Sequence, residues 1–377
     1  MKLFDVYPLF QIEPVKAKGA YVYDKEGTEY LDFYGGHAVI SIGHSHPHYV
    51  EKITSQLGEI GFYSNSVLNS LQEELANKLG ELSGYDEHQL FLCNSGAEAV
   101  ENALKMASFK NGKNKFIAFK KGFHGRTSGA LQVTDNPKIR SAFNLNPSIV
   151  HLSFGDLNAV ENKLNTGEIS GIIIEGIQGI AGIIDPGTEF LVGLRALCDK
   201  YDVALILDEV QSGYARTGDF FAHQNSRIKA DIVTIAKGMG NGFPIGGVLI
   251  GAQFEASYGL LGTTFGGSHL ACAAGIAVLD VIKKEDLLEN AKFLGDYLAK
   301  AIKKLPGVEK VTGRGLMLGV FMKENGKELR SNLLHKHKVF TGGAGDPNIL
   351  RLLPPLNITK EDCDKLITAL TKELAPQ

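Results

Sequence analysis

The sequence predicts an α/β protein: a mixed, mostly parallel sheet with helices on both faces, joined to a smaller α+β unit built from the two ends of the chain. Three observations carry that expectation. From residue 68 onward, unbroken Val/Ile/Leu runs of strand length alternate with helical periodicity, as strands covered on both faces do. Residues 20–34 (AYVYDKEGTEYLDFY) instead alternate around Glu26-Gly27 like a short antiparallel hairpin. After about residue 272, a helical stripe of Leu287, Ala291, Leu294, Leu298, Ile302 and Leu305 leads into further strand-like runs.

In chain order, FLCNS (91–95) precedes the helical GAEAVENALKMASFK, and KFIAF (115–119) precedes a glycine-rich turn. SIVHLS (148–153), GIIIEG (171–176), ALILDE (204–209), DIVTIA (231–236) and GGVLIG (246–251) continue the series. GLMLGVFM (315–322) and LRLLPPL (350–356) supply strands for the smaller unit, which the N-terminal ribbon completes. The expected division is 1–50 for the N-terminal segment of the small unit, 51–272 for the large domain and 273–377 for the C-terminal small domain. A chain of 377 residues suits two domains and a sizeable core.

Composition excludes other classes. Hydrophobic residues are 44% and charged ones 21%, ordinary globular values. The formal charge of −3 gives no electrostatic footprint for nucleic acid or an anionic membrane. Cys93, Cys198, Cys272 and Cys363 are far apart, which argues against zinc and a disulfide framework. The N-terminus lacks the apolar core of a secretory signal, and no run approaches 18 apolar residues. A cytoplasmic protein whose partners are small molecules and copies of itself is expected, without a metal. His44, His46 and His48 in GHSHPH have no accompanying ligand cluster and read as structural or near the site.

Open α/β sheets bind ligands beyond the carboxyl ends of their strands, so the polar residues there come first. Asn94-Ser95-Gly96-Ala97 opens a helix, offering free N–H groups and a dipole suited to phosphate. Ser95 as an N-cap with Glu98 completing a capping box is the ordinary reading, and the two are compatible. In Lys121–Thr127, glycine-flanked Phe123 can lie on a planar ring and Arg126 can hold a carboxylate; a plain turn with a solvated arginine is the alternative. Asp208 and Glu209 end a wholly apolar strand, where a buried aspartate needs a cationic partner, either a pyridinium N–H or a structural Arg or Lys. Lys237 places an amine at the same sheet edge, where desolvation favours Schiff-base chemistry; a surface lysine entering a turn is the alternative. Gly238–Gly242 is no G-x-G-x-x-G, so a nicotinamide fingerprint is absent.

Together these segments resemble the class III, fold type I, pyridoxal-phosphate aminotransferases of the acetylornithine group. The matching pieces run in family order: YLDFYGGHAVISIGHSHP, NSGAEAVENALK, FHGRT, EGIQGIAG, LDEVQSGYARTG, AKGMGNGFPIGG, TTFGGSHLACAA and LRLLPPL. The resemblance implies pyridoxal 5'-phosphate as cofactor, with Lys237 as its Schiff-base lysine and Asp208 as partner of the pyridine nitrogen. It further implies that Gln211 touches the ring 3-oxygen, Val210 and Phe123 cover opposite ring faces, and Ser95, Gly96 and Ala97 cradle the phosphate. Thr264 would reach the phosphate of a neighbouring subunit, which makes an obligate homodimer. Arg126, Arg351 and Glu175 would serve substrate: Arg126 the distal carboxylate, Arg351 the α-carboxylate of glutamate or 2-oxoglutarate. His37 and Tyr63 fall near substrate-contact regions.

The implied reaction transfers the δ-amine of N2-acetyl-L-ornithine to 2-oxoglutarate. One departure bears on the donor: the family reads E-P-x-Q-G-E, whereas this chain reads Glu175-Gly176-Ile177-Gln178-Gly179-Ile180. Ile180 cannot neutralise Arg351, so water, another residue or an extra anion on the donor must. N2-succinyl-L-ornithine is one alternative donor, and ornithine or 4-aminobutyrate are others.

Overall fold

The computed structural model describes residues 1–145 and 148–375; the last two residues of the expected C-terminal segment lie outside the described residues. Strands β1 (Pro14–Lys18), β2 (Tyr21–Asp24) and β3 (Glu29–Asp32) lead through the short turn α1 (Gly35–Ala38) to helices α2 (Pro47–Glu59) and α3 (Ser70–Ser83). The alternating region follows: β4 (Gln89–Cys93), α4 (Gly96–Asn111), β5 (Lys115–Phe119), α5 (Ser128–Val133), β6 (Ile149–Leu152), α6 (Leu157–Leu164) and β7 (Ile169–Glu175). It continues through α7 (Thr188–Tyr201), β8 (Ala204–Asp208), β9 (Ile232–Ile235), β10 (Gly246–Ile250) and α8 (His269–Lys284). The C-terminal part comprises α9 (Leu287–Ile302), β11 (Val308–Arg314), β12 (Met317–Met322), α10 (Gly326–His335), β13 (Val339–Phe340), β14 (Gly342–Gly343), β15 (Ile349–Leu352) and α11 (Lys360–Leu374).

The central sheet has the order β4-β10-β9-β8-β7-β5-β6. Only β10 runs antiparallel to its neighbours; the pairings among β5 to β9 are parallel. Strands β7, β8, β9 and β10 are wholly buried, which is why each reads as an unbroken apolar run. Register aligns Glu175 with Asp208 and Asp208 with Thr234 at one edge. Three polar side chains thus stand in a row where the apolar runs stop.

The expected hairpin forms β2 and β3, and β13 adds to β3 in parallel, so the N-terminal ribbon and the C-terminal segment share a sheet. A second sheet has the order β11-β12-β15-β14. Helix α9 buries Leu287, Ala291, Leu294, Leu298 and Ile302, while Leu305 packs at the margin of the core. Helix α8 runs across residue 272, so the expected domain division there falls inside a helix. His44, His46 and His48 each go to a different carboxylate, Asp32, Glu285 and Asp280 respectively. The four cysteines are free and buried. Among the described residues, no helix is long and apolar enough to cross a membrane.

Arg216, only 2% exposed, joins the sheet region to both ends of the chain. Its guanidinium donates to the carbonyls of Leu316 (3.4 Å), Pro354 and Ile40 (3.3 Å). Arg216→Ala would leave those carbonyls without donors and open a cavity. We expect destabilisation of about 3 kcal/mol or more, read as a lowered denaturant midpoint; an unchanged midpoint would remove Arg216 from the packing argument.

Candidate active site

A cavity of about 290 Å³ opens at the carboxyl edge of the central sheet. Its walls include Ser95, Gly96, Ala97, Phe123, His124, Glu175, Ile180, Asp208, Val210, Gln211 and Lys237. These arrive from the ends of β4, β5, β7, β8 and β9, the place where strand order reverses and ligands of such sheets bind.

At the end of β4 the chain enters α4 with Ser95 as N-cap, its hydroxyl accepting from Glu98 N–H at 3.2 Å. Glu98 reaches back to Asn94 N–H (3.0 Å) rather than to Ser95 N–H, so the expected capping box closes one residue early. The N–H groups of Gly96 and Ala97 meet no acceptor in the described protein and sit on the cavity wall. A helix of 16 residues adds its dipole to those free donors, a fit for an anion. Glycine is required at 96: a Cβ there would lie 2.7 Å from Val210 Cγ1.

Asp208 is 4% exposed and hydrogen-bonded through both oxygens. It accepts from Val210 N–H at 3.1 Å and Thr234 Oγ1 at 3.2 Å, and its Oδ2 pairs with His124 Nδ1 at 2.7 Å. Burial alone would push His124 down, but the hydrogen bond and charge of Asp208 outweigh it and raise its pKa. The cationic partner foreseen for Asp208 as an Arg or Lys is therefore this histidine in the protein itself. His124 was absent from the sequence-derived site residues: it lies 84 residues from Asp208 and reads locally as part of a turn. The available signal was an imidazole inside a glycine-rich turn at the same sheet edge as an unpartnered buried acid.

Glu175 is buried, and both of its oxygens are taken by main-chain donors, Phe123 N–H (2.9 Å) and Gly179 N–H (2.9 Å). It braces the turn bearing Phe123 while lining the cavity. Burial pushes its pKa up to about 7, with the Asp208 charge adding to the rise and His124 opposing it. Glu209 points away from the cavity, accepting from Ser212 Oγ, Ala222 N–H and His223.

Lys237 follows β9 with a left-handed φ of 46°, a conformation that costs a side-chain-bearing residue about 1–2 kcal/mol. The Ser41 hydroxyl fixes the next residue by donating to Gly238 O at 2.7 Å. Lys237 retains access through the cavity. Burial lowers its pKa, against the pull of Asp208 and Glu175, while Arg351 adds to the lowering. Gln211 donates to His37 O at 3.3 Å, and its buried Oε1 has no partner.

The structure separates the remaining residues from this group. Arg351 is 4% exposed and does not line the cavity; its Nε donates to Gly343 O at 2.6 Å, and Nη1 is buried without a partner. Arg126 and Thr264 are both exposed and off the cavity wall, and it is Thr263 whose hydroxyl accepts from Asn94. His37 meets Tyr34 OH through Nδ1. Tyr63 is exposed.

A fold of this topology, with a desolvated lysine, a buried carboxylate and an anion-binding helix end in one cavity, defines a cofactor-dependent transferase of the α/β type. The chain belongs to the class III aminotransferases, whose family profile matches residues 5–374; these are pyridoxal-phosphate-dependent enzymes. It is similar to the acetylornithine aminotransferase of Aquifex aeolicus, with 41% identity over 99% of both chains. The acetylornithine aminotransferase of Methanopyrus kandleri is 40% identical, covering 98% of this chain and 96% of that one. Among solved structures, the acetylornithine aminotransferase of Elizabethkingia anophelis superposes with a TM-score of 0.85 at 30% identity, covering 98% of this chain and 94% of that one. The ornithine aminotransferase of Toxoplasma gondii gives 0.91 at 28% identity, covering 97% and 91%.

The residues present fit the cofactor. Free N–H donors on the cavity wall suit a phosphate, the orphaned Gln211 Oε1 is an acceptor for a polar group on a ring, and Asp208 Oδ2, which meets only His124 among the described residues, keeps acceptor capacity for another.

The cost of ionising buried Glu175 is absent below its ordinary 4.5 and fully expressed above about 7. In cofactor-free protein, wild type should therefore lose roughly 1–3 kcal/mol relative to Glu175→Gln as pH rises from 5 to 8. Parallel pH dependence of Tm for the two proteins would show that Glu175 does not titrate in this range.

Proposed function

We propose that the protein transfers the δ-amine of N2-acetyl-L-ornithine to 2-oxoglutarate, giving N-acetyl-L-glutamate 5-semialdehyde and L-glutamate, a step of arginine biosynthesis in the cytoplasm. The observation that carries this reading is one cavity holding Lys237, its proton affinity lowered by burial, the Asp208–His124 pair and the free N–H groups at the start of α4. The names of the similar proteins supply the donor. Four free, buried thiols suit a reducing compartment.

Pyridoxal phosphate, when bound, supplies an aldehyde that captures the amine and a ring that draws electron density from the reacting carbon. Ser95 and the N–H groups of Gly96 and Ala97 would hold its phosphate, Phe123 and Val210 would cover the ring, and Gln211 would meet the ring oxygen. Asp208 would partner the ring nitrogen, with His124 holding the carboxylate in place through Oδ2. Lys237 gives up its place to the donor amine and then carries the proton removed from the δ-carbon, a task that needs an amine easily deprotonated. Arg126, exposed at the rim, takes the carboxylate of the donor. Arg351 takes the α-carboxylate of glutamate or 2-oxoglutarate through its unpaired Nη1.

The working unit is a homodimer, in which Thr264 reaches the phosphate site of the neighbouring subunit. Exposed apolar residues support this: Ile60, Phe62, Val67 and Leu68 follow one another in one exposed segment, and the rings of Phe62 and the exposed Phe265 lie 5.4 Å apart. Such a patch on a monomer marks an interaction surface.

Mixing the pyridoxal form with N2-acetyl-L-ornithine should convert its absorbance to that of the pyridoxamine form, and L-glutamate should do the same. Lys237→Ala should slow both conversions by about 10⁴-fold or more without lowering Tm. Absence of conversion by every amine tested would overturn the reading. Arg351→Lys should raise KM for 2-oxoglutarate about tenfold, because an ammonium cannot reproduce a bidentate contact; an unchanged KM would place the acceptor carboxylate elsewhere.

A further inference from the structure

Gly343 lies between two guanidinium groups. Arg351 Nε donates to its carbonyl, and Arg330 Nη1 stands 3.1 Å from the position of a Cβ on Gly343, with Arg330 Nε held by Thr341 O at 3.0 Å. Among the described residues, no carboxylate forms an ion pair with either arginine, and Arg351 Nη1 is orphaned. Ile180 belongs to the same corner: its carbonyl accepts from Gly345 N–H at 3.3 Å, which ties its turn to the Gly342–Gly345 loop, and its side chain lines the cavity. Ile180 brings no charge to the part of the cavity wall that it lines. His37 reports the resulting field, for burial and then Arg351, Lys237 and Arg330, all cations, lower its pKa.

We propose that Arg351 is an anion site filled in both half-reactions, by the α-carboxylate of glutamate or 2-oxoglutarate in one and by a small monovalent anion, a simple carboxylate or halide, in the other. This rests on the aminotransferase reading above. A donor reacting through its ω-amine carries its carboxylate at the far end and brings none to Arg351. The guanidinium stays charged at any working pH, and a buried charge left unpaired is strongly disfavoured. A co-bound anion relieves that penalty while the donor reacts. Glutamate must displace the same anion, because its own carboxylate needs the place. One ligand therefore acts in opposite directions on the two halves of the cycle.

The test uses wild-type holoenzyme in halide-free zwitterionic buffer, replacing isethionate by formate at constant ionic strength and following each half-reaction in single turnover. Formate should accelerate conversion by N2-acetyl-L-ornithine saturably, by roughly fivefold or more, and inhibit conversion by glutamate competitively with the same half-saturating concentration. In Ile180→Glu, which sets a carboxylate on this wall, the acceleration should shrink to less than about twofold. No acceleration, effects of the same sign in both halves, or acceleration undiminished in Ile180→Glu would overturn the proposal and leave the aminotransferase reading standing. Failure of glutamate and acetylornithine alike to convert the cofactor would overturn that reading, and this proposal with it.

Discussion

Burying the Asp208 carboxylate at the end of β8 imposes conditions on much of the surrounding structure. A carboxylate removed from water is strongly disfavoured unless its oxygens are paired. Here the pairing comes from three directions: Val210 N–H from its own turn, Thr234 from the adjacent strand and His124 from the turn after β5. The last contact sets the shape of that turn. Gly125 holds φ at 140°, and a Cβ on it would fall 2.8 Å from Ala97 Cβ and 2.9 Å from Ala130 Cβ. Only a residue without a side chain lets the His124 turn press against the start of α4. The same closeness puts Phe123 beside Gly96 and Ala97 on one cavity wall. Glu175 secures the arrangement through Phe123 N–H, and burial keeps much of its own charge suppressed near neutrality.

Around that floor the charges divide by sign. Asp208 and Glu175 lie at the strand ends in register, while Lys237, Arg351 and Arg330 supply the positive field of the opposing loops. Lys237 feels both sets along with desolvation, and desolvation prevails. Its strained φ requires a rigid surround, which the buried Asn241 provides by accepting from the N–H groups of Ser41 and Ile42 and donating to Gly43 O. The segment after β3 and the lysine turn are thus braced by one side chain, and small-domain geometry is coupled to the position of the reactive amine.

What the sequence made legible follows from which signals are local. Strands β7 to β10 were readable because both faces are covered, and a polar residue ending such a run is conspicuous; Asp208 and Lys237 were found in that way. Strand limits moved by a residue or two: the apolar run at 91–95 becomes β4 at Gln89–Cys93, since Asn94 and Ser95 serve the helix cap. Residues whose role depends on distant partners were not readable. His124 gains its meaning from Asp208, and Arg216, to which the sequence reading gave no role, is sealed against carbonyls 100 and 138 residues away. The expected division at 272 falls within α8, which packs against α2 and α3, whereas the helical stripe that suggests a new unit is α9.

The two arginines assigned to substrate have opposite physical settings, and the settings bear on how selectivity is divided. Arg126 is exposed; when no carboxylate is present it is hydrated, and little is lost. It can therefore accept donors that differ beyond the reacting amine, and donor choice is left to the shape of the rim. Arg351 is buried, fixed through Nε to Gly343 O and stacked near Tyr34 at 5.9 Å. Its buried Nη1 has no partner, and leaving such a donor unmet is costly, so in the proposed role it would discriminate for a carboxylate placed next to the reacting carbon. On the proposed assignment the acceptor would be specified by a rigid, desolvated contact, and the donor at a solvated margin where single substitutions cost little stability.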